Sequence, residues 1–241
     1  MQIEGKNGVR ELLSTDKSIE KVSILDGTRD SEIRDLLKLA KNRGVKVEFV
    51  EKRILDKMSL TGHHQGIIAS ASEFKYADLD DVINENKNNG KDLLFVILDG
   101  VEDPHNLGSV MRVAECAGVS AIIIPKNRAV SVNETVVRVS AGASEHVNVV
   151  KVTNLNTTIE KLKDLGVFVY AADMDGEEMY KTNLKGDIAL VVGSEGFGVS
   201  KLTRKLCDGI ISIPMYGNVN SLNASVSAGI VIYEAIRQRR K

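Results

Sequence analysis

Three stretches of this 241-residue chain gather glycine, asparagine, serine and isolated charged residues in a way that suits ligand binding. Residues 98–112 read LDGVEDPHNLGSVMR, in which an apolar run gives way to a polar loop and Asn106 and Arg112 stand six apart. Residues 191–200, VVGSEGFGVS, set one carboxylate, Glu195, among Gly193, Gly196 and Gly198, so that backbone could wrap closely around a ligand. Residues 209–234, GIISIPMYGNVNSLNASVSAGIVIYE, run through Ile213, Pro214 and Met215 into a turn containing Asn218 and Asn220. Ser221, Leu222 and Asn223 then precede a helical pattern. Free N–H groups at a helix start, flanked by short side chains, can receive a polar ligand. Each stretch also has a plain structural explanation. Asn106 and Asn223 read equally as helix caps, Arg112 as a solvated helix arginine and Glu195 as a loop carboxylate. Around a helix, Asn106 and Arg112 lie about 120° apart, so both reach one ligand only because the arginine side chain is long.

Several other chemistries lack their residues. Neither G-x-x-x-x-G-K-[ST] nor an early G-x-G-x-x-G is present, which disfavours a nucleotide-dependent oxidoreductase. No Ser-His-Asp or Cys-His arrangement stands out. The residues His63, His64, Gln65 and Gly66 have no partners at metal-ligand spacing, so they read as a turn before a strand, and no metal is expected.

The element pattern puts all three stretches at the ends of apolar strands. Residues 93–98 (LLFVIL) are nearly continuous in apolar character, as in a strand covered on both faces of a parallel sheet. Strands at 121–124, 147–152, 167–171, 188–192 and 209–213 alternate with helices at 106–117, 133–140, 154–165, 200–206 and from 223 onward. This predicts an α/β domain with a mainly parallel sheet, whose ligands bind beyond the carboxyl ends of the strands. Arg237, Arg239, Arg240 and Lys241 would suit the negative end of the last helix. Earlier in the chain, helices at 7–13, 30–43 and 54–60 and strands at 21–25, 45–50 and 66–71 predict a smaller α/β domain over 1–75. Residues 76–92 carry one weak helix and a polar Asn/Lys/Gly run, and are expected to be a linker before the domain at 93–241.

Formal net charge is −1, so no global field attracts nucleic acid, and such a role needs a local patch. Residues 1–75 hold 14 Lys/Arg against 12 Asp/Glu. Lys6, Arg10, Arg34, Lys38, Lys41 and Arg43 are the candidates for that patch. No apolar run approaches the roughly 18 residues of a membrane span, and the N-terminus does not read as a signal peptide. Cys116 and Cys207 form no C-x-x-C pair, which fits reduced thiols and a cytoplasmic location.

In this order and spacing, the three stretches resemble the SpoU (TrmH-type) RNA ribose 2′-O-methyltransferases of the SPOUT superfamily. The matching features are Asn106 with Arg112, the Gly-x-Glu-Gly loop within 193–198, and the stretch 213–225, in which Ile213-Pro214-Met215 is followed by Ser221-Leu222-Asn223 and a helix. The first 75 residues are similar to the small ribosomal-protein-like domain of the family's 23S rRNA guanosine methyltransferases. The resemblance implies a C-terminal domain tied in a deep trefoil knot and a homodimer formed through that domain. It implies S-adenosyl-L-methionine held by Gly193, Glu195, Gly196, Ile213, Met215 and Leu222. It further implies catalysis by Asn106, Arg112, Glu195, Ser221 and Asn223, with 23S rRNA as the partner. An arginine has a pKa above 12 and is an awkward base, so Arg112 is expected to bind phosphate or stabilise an alkoxide. A tRNA ribose methyltransferase and a non-catalytic RNA-binding or ribosome-assembly protein on the same scaffold are the alternatives.

Overall fold

The short apolar repeats of the first 75 residues close into one sheet with helices packed on it. In this computed structural model, which describes residues 2–15, 19–71, 74–218 and 221–240, the chain divides into two units, Met1–Lys75 and Tyr76–Lys241. The first unit contains β1 (Gln2–Glu4), α1 (Lys6–Ser14), β2 (Ile19–Leu25), α2 (Ser31–Asn42), β3 (Lys46–Val50), α3 (Lys52–Met58) and β4 (Ile67–Ala71). The sheet order is β1-β4-β2-β3, with β2 and β3 parallel and the other pairings antiparallel. Val9 and Leu12 of α1 and Ile33, Leu36 and Ala40 of α2 recur every three or four residues. They meet Val22, Ile24, Ile67 and Ala69 of the sheet in one core. Most of the expected basic patch is engaged within the unit, Arg34 Nη2 donating to the Arg29 carbonyl (3.2 Å). Lys6 pairs with Asp30 (2.6 Å) and Glu32 (3.2 Å), Lys38 with Asp35 (3.2 Å), and Arg43 Nη1 donates to the Leu12 carbonyl (3.0 Å).

Strand β1 is too short to show a pattern in the sequence, yet Glu4 at its end orders the turn after α3. Its carboxylate accepts from Ser59 Oγ (2.6 Å), Thr61 Oγ1 (2.6 Å), Leu60 N (2.5 Å) and Gln2 Nε2 (2.8 Å). These donors, the Ser59 hydroxyl first, hold the Glu4 pKa down at about 2. Its stabilisation is therefore complete above the ordinary value of 4.5 and is lost as pH falls through about 2. Protection of the Leu60 and Thr61 amides against hydrogen exchange should fall across that window, and Glu4→Gln should lower it at pH 6. The turn at 63–66 leads into β4 and is held by hydrogen bonds of its own. His64 is buried, with Nε2 2.9 Å from Asp56 Oδ1 and Nδ1 accepting from Gly66 N at 3.0 Å.

The second unit contains α4 (Leu79–Asn88), β5 (Leu94–Asp99), α5 (Pro104–Ala117), β6 (Ala121–Pro125), α6 (Glu134–Ser140), β7 (Val149–Val152) and α7 (Leu155–Asp164). It continues with β8 (Phe168–Glu178), β9 (Ile188–Gly193), α8 (Lys201–Leu206), β10 (Gly209–Ser212) and α9 (Ala224–Arg239). Its sheet order is β10-β8-β9-β5-β6-β7 and every pairing is parallel. From β5 the chain builds outward through β6 and β7, then crosses to build β8, β9 and β10 on the other side. The direction switches between β5 and β9, where Asp99 lies opposite Gly193 at the carboxyl ends. Crevices at such switch points are where ligands bind in these sheets. Among the described residues, no helix is long and apolar enough to cross a membrane.

Three features depart from the sequence reading. Residues 76–92, expected as a linker, belong to the second unit. Ala77 N donates to the Val149 carbonyl (2.9 Å), and Leu79, Val82 and Ile83 of α4 enter the core. Three apolar residues at helical spacing suffice to dock a helix whose composition is otherwise polar. Strand β8 runs seven residues past Ala171. Against β10 its register jumps, with Ala171 opposite Ile210 and Glu177 opposite Ile211, so residues 172–176 bulge out of the ladder. A Cβ on Gly176 would lie 2.6 Å from the Ile210 carbonyl, so only glycine lets the strands rejoin. Finally, Arg239 does more than meet a helix dipole. It donates to the carbonyls of Leu93 (3.0 Å), Gly186 and Leu184 (3.4 Å), which ties the end of α9 to the starts of β5 and β9. Lys241 lies outside the described residues.

Candidate functional site

Strand β9 ends at Gly193 and the chain turns at once. Ser194 and Gly198 exchange backbone hydrogen bonds of 3.2 and 3.0 Å, closing a tight loop. Gly196 and Gly198 take φ of 90° and 65°, values glycine reaches without strain. Gly193 is glycine for another reason: a Cβ there would overlap the Gly198 carbonyl and the Val199 nitrogen.

Glu195 leaves this loop toward the starts of two helices. Its Oε1 accepts from Asn106 Nδ2 (3.1 Å), Asn223 Nδ2 (2.5 Å) and Ala224 N (3.4 Å). Asn223 Nδ2 also reaches Asn106 Oδ1 (2.9 Å). Asn223 is the cap of α9, its Oδ1 accepting from Ser225 N (2.9 Å) and Val226 N (3.3 Å). Those bonds fix the amide so that its nitrogen faces Glu195. Asn106 is not a cap. Asp103 fills that role, accepting from His105 N (2.8 Å), and Pro104 occupies the first turn. Asn106 is thereby placed inside the first turn, only 6 % exposed, where a side-chain amide needs partners. All three stretches meet in this one cluster.

Beside the cluster is a pocket. Gly193, Glu195 and Gly196 line it from the loop, and Ile213, Met215, Ser221 and Leu222 from the segment after β10. Asn106 and Asn223 join it through Glu195. Arg112 does not: it is exposed on α5 and lines neither this pocket nor its neighbour. Asn220 falls outside the described residues. The sequence reading missed the third wall, Ala172, Asp173 and Met174 on the bulge of β8. The available signal was a polar run, DMDG at 173–176, following an apolar strand. Asp173 Oδ2 accepts from Arg204 Nη1 (3.1 Å), while Arg204 Nη2 lies 2.6 Å from both oxygens of Asp175.

A second, larger pocket lies across the loop, with Asp99, Glu102, Asn127, Asn154 and Phe197 among its walls. The two pockets share Ser194, Glu195, Gly198 and Ala224. Two adjacent sites with one carboxylate common to both can hold two molecules side by side. That geometry suits transfer of a group from one to the other.

Residues 93–233 match the SpoU rRNA Methylase family. The chain belongs to that family. Residues 2–77 of this SpoU protein match a second family, RNA 2′-O ribose methyltransferase substrate binding. A Bacillus subtilis (strain 168) relative, named as a TrmH family tRNA/rRNA methyltransferase, is 42 % identical over 237 residues, covering 98 % of this chain and 94 % of its own. The SpoU methyltransferase AviRb of Streptomyces viridochromogenes, solved in complex with the cofactor AdoMet, aligns with a TM-score of 0.62 at 22 % identity. The alignment spans 99 % of this chain and 90 % of AviRb. The TrmH/SpoU tRNA modifying enzyme of A. aeolicus aligns with a TM-score of 0.57 at 27 % identity, over 66 % of this chain and 84 % of its own. This SpoU protein is an RNA methyltransferase, with a substrate-binding domain ahead of a parallel-sheet methylase domain.

Proposed function

We propose that this SpoU protein moves a methyl group from S-adenosylmethionine to a ribose 2′-hydroxyl of 23S rRNA, at a guanosine. In this reading the donor occupies the glycine-loop pocket and the acceptor ribose lies across the loop. The observation that carries it is Glu195, held by Asn106 and Asn223 and common to both pockets. The residues present suit the donor. Ile211, Ile213 and Leu222 offer an apolar wall for a purine, the glycine loop admits close backbone contact, and Glu195 and Asp173 face a cationic group. When bound, the donor supplies a methyl group made electrophilic by its positive sulfur.

The chain's part is positioning and proton removal. Glu195 is the carboxylate on the shared wall and takes the 2′-hydroxyl proton. Asn106 and Asn223 hold it in place, and Ser221 lines the donor side. Arg112, exposed on α5 and outside both pockets, binds a neighbouring RNA phosphate. Arg112→Lys should lower kcat/KM at least about ten-fold, because lysine cannot form a planar fork. Near-full activity would contradict a guanidinium role. The choice of 23S rRNA over tRNA is supported by the substrate-binding match at residues 2–77, and by a tRNA enzyme that spans only 66 % of this chain. Methyl transfer from labelled donor to unmodified 23S rRNA and to bulk tRNA tests that choice. Label on tRNA alone would overturn the substrate and leave the chemistry standing.

The working form in this reading is a homodimer. Helix α9 is apolar on two sides. Ala228, Val231, Ile232 and Ala235 are buried, while Val226 and Tyr233 are each 49 % exposed and Ile230 lies between them at helical spacing. A second apolar stripe needs a second cover, and another copy of the chain supplies it. Val226→Asp with Tyr233→Asp should shift the sedimentation mass from two chains to one. The trefoil knot that the family resemblance implies for the second unit belongs to the same reading.

A further inference from the structure

Asp173 is the second carboxylate of the donor pocket, and unlike Glu195 it takes no part in the proton transfer. Its position is built with care. The bulge at 172–176 swings it out of the β8–β10 ladder, and Arg204 of α8 reaches across to hold it (3.1 Å). Its carboxylate faces the glycine loop, where a Cβ on Gly198 would lie 3.8 Å from Oδ2. The side chain is 19 % exposed, so its field is less screened than that of a surface charge.

Arg204 does not cancel this charge. Its closer contacts, 2.6 Å to each oxygen, are to the outer carboxylate Asp175, which is 61 % exposed. Two carboxylates share one guanidinium, so a net negative charge remains. No lysine or arginine lines the pocket among the described residues. The pocket therefore favours a positive ligand.

We infer that Asp173 makes the pocket selective for charge, favouring the sulfonium of the methyl donor over the neutral thioether left after transfer. Arg204 acts as its positioning residue. The inference rests on the donor site proposed above. In the reaction the C–S bond breaks and its electron pair stays on sulfur, while a new C–O bond forms at the ribose. The ribose proton goes to Glu195. Sulfur passes from +1 to neutral, so attraction to Asp173 weakens on product formation and release of the thioether becomes easier.

Calorimetric titration of the full chain with three ligands tests this. They are S-adenosylmethionine, S-adenosylhomocysteine and sinefungin, which carries a protonated amine in place of the sulfonium. Wild type should bind both cationic ligands about ten-fold or more tighter than the thioether. Asp173→Asn should narrow that gap to about two- or three-fold, mainly by weakening the cations. Should that variant fail to fold, Asp173→Ser carries the same comparison. Equal binding of all three by wild type, or an unchanged gap in the variant, overturns the inference. Binding of none of the three by wild type removes the donor-site reading itself.

Discussion

Replacing Glu195 with glutamine is expected to lower the methyl-transfer rate by about 10²- to 10⁴-fold, the range for loss of a positioned general base. Two effects combine. The amide cannot take the 2′-hydroxyl proton, and it brings its own N–H groups into a cluster already supplied with donors. Three N–H groups converge on Oε1, from Asn106, Asn223 and Ala224. A glutamine oxygen could accept them, but its nitrogen would then face the pocket where an acceptor is needed. Asn106→Ala or Asn223→Ala should cost less, because each leaves the carboxylate in place with one support removed. Single-turnover transfer measured beside donor affinity separates the roles. A fall in rate far beyond the fall in affinity is expected. A loss confined to donor affinity would make Glu195 a cofactor ligand and remove it from the chemistry.

Replacing Gly193 with alanine is expected to destabilise the second unit by about 3 kcal/mol or more, at or beyond the upper end for overpacked interiors. Where a neighbouring side chain can turn aside, such a substitution is mild. Here the added carbon would overlap the backbone of residues 198 and 199, and backbone in a closed loop cannot step away. A change of that size lowers Tm by about 6–12 °C in a domain of this length, and donor binding should be lost with it. Gly196→Ala is the instructive contrast. Nothing lies within 4 Å of its added Cβ, but its φ is +90°. That substitution should cost only backbone strain, about 1–3 kcal/mol, spent at the loop tip. Thermal denaturation followed by circular dichroism distinguishes the two. A Gly193→Ala protein as stable as wild type would contradict the crossing of residues 198 and 199 over the end of β9.

Much of this architecture could be read from the chain because the strands of the second unit are buried on both faces. Runs such as residues 94–98 are apolar throughout, and the polar, glycine-rich breaks after them mark the carboxyl ends where ligands bind. What escaped the reading was either short or mixed in character. Strand β1 has three residues and no pattern of its own. Helix α4 shows the solvent more polar residues than it gives the core, so its composition suggested a linker. The extension of β8 is polar because it forms a pocket wall, and the alternation that identifies a strand is missing there. Asn106 looked like a cap because asparagine favours that position. Only Asp103 and Pro104, three and two residues before it, reveal that the helix begins earlier. Arg112 is a different case. Its spacing from Asn106 carries part of the family resemblance, but on the exposed face of α5 it lines neither pocket, so the proposed role calls on bound RNA.

The most direct measurement is nucleoside analysis of unmodified 23S rRNA after incubation with this protein and donor labelled in the methyl group. Complete digestion to nucleosides, followed by chromatography with mass detection, shows which atom received the label. Label recovered as 2′-O-methylguanosine, at a single position resistant to alkaline cleavage, is the expected result. Label recovered in a base-methylated nucleoside would contradict ribose transfer across the Glu195 loop, whichever RNA carried it.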